Sequence, residues 1–236
     1  MSSFHGKSLT EGAAFPRVIP FALFMAFIGL DEVLRFLIGK GLAGISSSAI
    51  YFLYPVKAVS VATVLLLLPR YHEIHLRDLA KFGHTAVSIL IGLTVFVLWI
   101  GMDWRFGTFG SPQGFNPTLL TDHFTRTALI AARLAGAVIV VPVMEELFWR
   151  SFLIRYIIDQ DFAKIPIGRF TWPSFVITTV LFGLEHNFFL AGMMAGLAYN
   201  LLLYYSKSIS LCILAHAVTN LALGIYVLAT GKWFFW

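Results

Sequence analysis

Three short clusters in the second half of the chain carry side chains able to do acid–base chemistry. They are Glu145-Glu146 with Arg150, Glu185-His186-Asn187, and His216 with Asn220. Glu146 and Arg150 are four residues apart with the acid on the N-terminal side, so on a helix they share a face and form an ion pair. Glu145 is turned by about 100° from that face. It is the carboxylate left over, and therefore the candidate general base. Phe182 precedes His186 by four residues, which sets a ring under the imidazole and fixes its rotamer. His216 and Asn220 repeat the spacing and bring two nitrogen donors toward one point, as a developing oxyanion requires. A carboxylate is a poor base in water and a better one when water is withdrawn from it.

Each cluster alone has a plainer explanation. A Glu–Arg pair can be structural glue, a histidine in an apolar helix a packing residue, and an asparagine a hydrogen bond between helices. Three clusters on three apolar segments of a chain otherwise poor in charge point instead to a functional site.

The elements that position them are membrane helices. The chain has 236 residues, of which 58% are hydrophobic, 16% aromatic and 12% charged, with a mean hydropathy of +0.82. Soluble domains carry about 25% charged residues, so this composition excludes a water-soluble enzyme, a disordered chain and a nucleic-acid-binding domain. The net charge of +5 belongs to basic residues scattered in loops, where it sets topology. The single cysteine, Cys212, excludes an intrachain disulfide and any CxxC site.

A spanning helix needs about 20 mostly apolar residues. Such runs predict an all-α polytopic bundle of seven spans. They lie near Phe15–Leu30 (reaching toward Ile38), Ser46–Pro69, His84–Gly101, Gly136–Ile158, Trp172–Asn187, Phe188–Tyr205 and Ile209–Ala229. An amphipathic piece, Thr121–Ala135, precedes the fourth and makes eight if it inserts. Asp31, Glu32 and Arg35 follow the first run without a cleavage-site pattern, so it is read as an uncleaved span rather than a signal peptide. Pro142 is expected to kink the fourth span. Gly192 and Gly196 have the GxxxG spacing that lets helix backbones approach. The loops Gly107–Pro117 and Asp159–Arg169 are exposed by composition. Two regions follow: 1–118 with three spans, and 119–236 with four spans and the chemistry.

Lys7, Arg17, Arg70, Arg77, Lys81, Arg155, Lys164, Arg169 and Lys207 fall on the side of the N-terminus. Arg35, Lys40, Arg105, Arg126 and Lys232 fall on the other. The excess predicts a cytoplasmic N-terminus and a site opening toward the outer face. Lys57 and Arg133 also lie near membrane depth and receive no role from the sequence.

In chain order, Glu145-Glu146-Leu147-Phe148-Trp149-Arg150 (EExxxR), Phe182-Gly183-Leu184-Glu185-His186 (FxxxH) and His216-Ala217-Val218-Thr219-Asn220 (HxxxN) resemble the motifs of the CAAX prenyl protease and bacteriocin-processing family of intramembrane endopeptidases. The resemblance covers about Thr125 to Tyr226. It implies hydrolysis of a peptide bond in a membrane-anchored peptide or protein tail, without a cofactor or metal. Glu145 with His186 would activate water, His216 and Asn220 would hold the oxyanion, and Glu146, Arg150 and Phe182 would support the site. Glu185 departs from the pattern, where an apolar residue is commoner.

Other readings use the same residues. His186, His216 and Glu145 could bind zinc as a metalloprotease, although no HExxH is present. Cys212, four before His216, could form a thiol dyad, although plain packing explains it more simply. Buried acids and histidines also mark proton-coupled transporters. A non-proteolytic immunity or scaffold role is the remaining alternative. The partners expected are the lipid bilayer and a membrane-anchored substrate, with no nucleic acid.

Overall fold

A computed structural model describes residues 12–44, 46–68, 71–110 and 114–236. Lys7 and Arg70, which count toward orientation, lie outside the described residues. Seven helical stretches follow the seven apolar runs. Helix α1 is Phe15–Gly39. A 3-10 turn, Ser47–Phe52, leads into α2, Leu53–Leu67. Then come α3, Phe82–Ile100, and α4, His123–Ile158. The last three are α5, Trp172–Leu184, α6, Phe189–Ser206, and α7, Ile209–Thr230. No strand occurs among the described residues.

Five of the described helical stretches are long and apolar enough to cross a membrane: Ser48–Leu67, α3, α4, α6 and α7. Helix α1 has the length, with 25 residues, but carries Arg17, Asp31, Glu32 and Arg35. Helix α5 is apolar but has only 13 residues. Large apolar side chains such as Leu66, Leu67, Phe82 and Phe124 stand exposed on the outside. A soluble monomer rarely presents so much apolar surface, and the protein is an integral membrane protein.

Local sequence sets the helix boundaries. Asp122 caps α4, its carboxylate accepting the Thr125 amide at 2.6 Å. Thr171 caps α5, its hydroxyl accepting the Ser174 amide at 3.3 Å. Gly231, at φ 69°, closes α7 in the left-handed conformation that glycine adopts without cost.

Two of the expected boundaries change. The amphipathic piece and the fourth span are one continuous helix of 36 residues. At 1.5 Å per residue that is about 54 Å, too long to stand upright across a hydrocarbon layer of about 30 Å. Within it, Gly136–Val140 and Leu147–Leu153 are wound as π-helix. The first π turn ends two residues before Pro142, which has no amide hydrogen to give an α-helical ladder. Helix α5 ends at Leu184, so Glu185, His186 and Asn187 lie in a tight turn before α6 rather than on a helix.

The core that holds the second half together includes Ile154, Phe182, Tyr199, Leu202, Leu203, Ile209 and Ala215. Helix α3 packs along α7, and α5 along α6. The expected glycine contact is real. A Cβ on Gly192 would stand 2.9 Å from the Gly183 Cα, and one on Gly196 would stand 3.2 Å from the Phe182 Cβ. These glycines press α6 onto the helix that delivers Phe182 and His186.

One polar knot ties α1 to the rest. Arg17 donates from Nε and Nη2 to the two Glu73 oxygens at 2.6 and 2.7 Å. The Ser151 hydroxyl also bonds Glu73. Arg155 donates to the Ser151 hydroxyl at 3.0 Å and lies 3.9 Å from Glu73. Arg17, the loop after α2 and the end of α4 therefore meet at one end of the bundle.

Candidate active site

The expected site residues converge on a cavity of about 250 Å³, lined among others by Glu145, Phe182, His186, His216 and Asn220. They arrive from α4, the turn after α5, and α7. Glu145 and Glu146 are both buried, as is Arg150, and the second π segment of α4 begins at the next residue, Leu147.

Glu146 and Arg150 pair at 3.2 Å with almost no exposure on either side. Arg150 is held further by Asn200 Oδ1 at 3.2 Å and the Gly196 carbonyl at 3.4 Å. Its guanidinium lies 4.4 Å above the Phe182 ring. Asn200 in turn donates to the Thr178 and Thr179 hydroxyls at 3.0 and 3.1 Å. A buried charge left without such partners would cost several kcal/mol (about 3–5).

His216 stands between the two glutamates. Its Nδ1 is 2.9 Å from Glu146 Oε1, and its Nε2 is 4.0 Å from Glu145 Oε2. That Glu145 oxygen is buried and has no hydrogen-bond partner among the described residues. The His216 ring stacks on Tyr199 at 5.1 Å and 23°. Tyr199 donates to the Thr219 hydroxyl at 2.8 Å, and Thr219 donates to the Gly92 carbonyl at 2.8 Å. The orientation of His216 is thus fixed by α3, α4, α6 and its own helix.

His186 is set differently. Its Nδ1 is 2.7 Å from the Phe182 carbonyl, a partner that only accepts. Nδ1 therefore carries the hydrogen and Nε2 presents the lone pair. Phe182 lies against the imidazole at 5.0 Å and Trp99 meets it edge-on at 5.4 Å. Although His186 is off the helix, the spacing from Phe182 survives because the side chain folds back onto the last helical turn.

Asn220 lines the cavity and donates from Nδ2 to the Ala137 carbonyl in the first π turn at 2.8 Å. Its amide has a second hydrogen for another acceptor. Glu185 turns inward and accepts the Trp149 indole N–H at 3.0 Å. Donor atoms of Glu145, Glu185 and His186 lie within 4.8 Å of one another, close enough to share a metal ion. His216, expected in a zinc set with Glu145 and His186, is engaged with Glu146 instead. Cys212 is fully buried in the core, its sulfur 3.8 Å from the Tyr199 carbonyl. It does not line the cavity.

Trp99, Trp149, Tyr199, Asn200 and Thr219 were not singled out by sequence reasoning. Asn200 carried a usable signal, since an amide four residues after Gly196 in an apolar helix needs a partner. The aromatic residues carried none, because 16% of the chain is aromatic.

Residues 126–222 match the family model described as type II CAAX prenyl endopeptidase Rce1-like. This segment contains all three motifs and is similar to that family. Comparison of the chain with curated protein sequences and with solved structures finds no match.

Proposed function

We propose that the protein is an intramembrane endopeptidase of glutamate type, which hydrolyses a peptide bond in a membrane-anchored peptide or protein tail. The observation that carries this reading is the convergence of Glu145, His186 and His216 on one cavity, within a segment similar to type II CAAX prenyl endopeptidases. The catalytic region would be 119–236, in a seven-span bundle with a cytoplasmic N-terminus.

The geometry suits the following sequence. A water sits between Glu145 and the free Nε2 of His186. Glu145 removes its proton as the oxygen attacks the scissile carbonyl, and the resulting oxyanion lies near His216 Nε2 and the spare Asn220 amide hydrogen. For His216 to donate there, both ring nitrogens must carry hydrogen. Glu146 accepts the Nδ1 hydrogen, and the Nε2 hydrogen is then free to face the cavity. Collapse of the intermediate breaks the C–N bond, and Glu145 returns its proton to the leaving amine. Glu146 and Arg150 hold the frame without touching substrate.

The test is incubation of purified protein, wild type and Glu145→Ala, with a broad set of membrane-anchored peptides. Cleavage by wild type alone supports the reading, and equal cleavage or none by either protein refutes it. The proximity of Glu145, Glu185 and His186 favours one second reading, a metal-activated water on those three groups. Activity that survives exhaustive chelation removes it; loss restored by added zinc would establish it.

A further inference from the structure

Three residues that line the cavity of about 250 Å³ carry a buried atom without a hydrogen-bond partner among the described residues: Glu145 Oε2, Arg133 Nε and Trp99 Nε1. Glu145 has its task in activating water. Arg133 rests on the Tyr54, Phe115 and Trp236 rings and lies in the field of Asp31. Trp99 has neither a task nor an answering group. Its indole N–H can only donate, and a buried donor left unpaired costs about 1–3 kcal/mol. Trp149 shows the usual solution beside the same site, since its indole donates to Glu185 at 3.0 Å.

Helix α3 places Trp99 there. Ser88, Gly92 and Val95 are buried on that helix. Trp99 continues their steps of four and three residues, so all four share the face that packs along α7. About two turns beyond the close approach at Gly92, Trp99 meets the His186 imidazole edge-on, with 5.4 Å between the ring centroids. Acceptors on the neighbouring walls are committed elsewhere. The Thr219 hydroxyl accepts from Tyr199, the Phe182 carbonyl from His186 and the Ala137 carbonyl from Asn220.

We propose that the Trp99 indole N–H binds a main-chain carbonyl of the peptide substrate, close to the bond placed over Glu145 and His186. An extended peptide advances about 3.5 Å per residue, so the distance from Trp99 to His186 spans at most about two residues. A neutral carbonyl suits the position better than an anion, because the Glu145 and Glu185 carboxylates stand together beside His186. Trp99 lies outside the matched residues 126–222, so the first half of the chain supplies a substrate contact of its own and not only a scaffold. This rests on the peptidase reading for the identity of the ligand, but the binding step is separable from cleavage. Trp99 holds the peptide and takes no part in proton transfer.

The experiment uses the full chain in phosphatidylcholine nanodiscs, with Trp99 replaced by benzothienylalanine, which keeps both fused rings and has sulfur in place of the N–H. Binding is measured in a Glu145→Gln background so that the peptide persists. The readout is fluorine NMR of palmitoylated hexapeptides carrying one trifluoromethyl group, with protein-free nanodiscs as the blank. The exchange is expected to weaken binding about three- to tenfold, the worth of one hydrogen bond, and Trp99→Phe to weaken it at least as much. The thermal midpoint of the empty protein should stay level or rise with benzothienylalanine, because an unpaired donor has been removed. Hexapeptides with one carbonyl oxygen replaced by sulfur, a weaker acceptor, locate the contact. One position, within two residues of the bond that wild type cleaves, should lose about threefold in affinity when Trp99 is present and nothing when it is exchanged. Unchanged affinity on the exchange overturns the proposal, as does failure of every hexapeptide to bind. A lowered midpoint would assign the indole to packing and overturn it too, and so would a loss that is equal for every sulfur-substituted peptide. If the single-position effect appears while wild type cleaves none of the peptides, the peptidase reading fails and the Trp99 contact stands.

Discussion

His216 Nδ1 lies 2.9 Å from Glu146 Oε1, across 70 residues of sequence. The same Glu146 oxygen accepts from Arg150 at 3.2 Å. One carboxylate oxygen therefore joins the structural ion pair of α4 to the imidazole delivered by α7. Glu146 is a positioning residue in both directions. It compensates the Arg150 charge and fixes which His216 nitrogen faces the cavity.

Removing the charge of Glu146 should therefore cost stability and activity together. In Glu146→Gln, Arg150 keeps Asn200, the Gly196 carbonyl and the Phe182 and Tyr199 rings. The expected loss is about 3–5 kcal/mol, the range for breaking a buried pair. Replacing both partners with apolar residues, as in Glu146→Leu with Arg150→Met, should recover much of the thermal stability but none of the cleavage, because His216 stays without its carboxylate. Thermal unfolding in detergent beside a cleavage assay reads both. An unchanged Tm in Glu146→Gln would show that the pair contributes nothing to stability.

Glu185 separates the water mechanism from the metal one. Its carboxylate accepts the Trp149 indole at 3.0 Å, a contact that a glutamine oxygen can also make. Under the proposed chemistry Glu185→Gln keeps kcat within about threefold, because the exchange reaches Glu145 only through space. If Glu185 ligates a metal, the same variant loses activity by at least about tenfold, along with metal affinity. Activity and bound metal measured on one preparation distinguish the two.

The contrast between these two acids shows what the sequence could carry. Glu146 and Arg150 were legible because a charge pair at four-residue spacing has one helical meaning. So were His216 and Asn220. Glu185 was not, because its direction depends on α5 ending at Leu184, and nothing in an apolar run followed by Glu-His-Asn marks that stop. The seven helical stretches could be read from hydropathy alone, whereas the joining of Thr121–Ala135 to the fourth span could not. Gly136 reads as a weak point, but two π segments carry the helix through. Asn200 and Tyr199 support the site from a helix whose sequence suggested close packing and an amide in need of a partner. Their role exists only once α6 is laid against α5 and α7.

The knot around Glu73 predicts how α1 responds to acid. Burial alone would raise the Glu73 carboxyl, but hydrogen bonds from Arg17 and Ser151, with the Arg17 charge, hold it below the ordinary carboxylate range. A group depressed on folding stabilises the fold fully above its unfolded pKa, and that contribution is lost as pH falls through the folded value. The Tm difference between wild type and Glu73→Gln should therefore be largest near neutrality and shrink below about pH 4. Protease access to α1 should rise over the same interval in wild type and be already high at pH 7 in the variant. A Tm difference that stays constant from pH 7 to pH 3 would remove Glu73 as the acid-sensitive contact.

Gly92 makes the longest-range prediction. It lies on α3, outside the cavity, where a Cβ would run into the Ala215 carbonyl and stand 3.0 Å from the Val218 Cβ. The first of these is backbone and cannot rotate away, so Gly92→Ala must push α3 from α7. Overpacking of this kind costs about 1–3 kcal/mol. The Gly92 carbonyl is also the acceptor for Thr219, whose hydroxyl anchors Tyr199 beneath His216. The displacement therefore reaches the site, and cleavage should fall by at least about tenfold as the donor geometry is lost. Gly83, in the first turn of the same helix, has nothing within 4 Å of the corresponding position. Gly83→Ala should leave activity unchanged and Tm level or slightly raised, since alanine is the better helix former. If both variants behave alike, the approach of α3 to α7 does not set the orientation of His216.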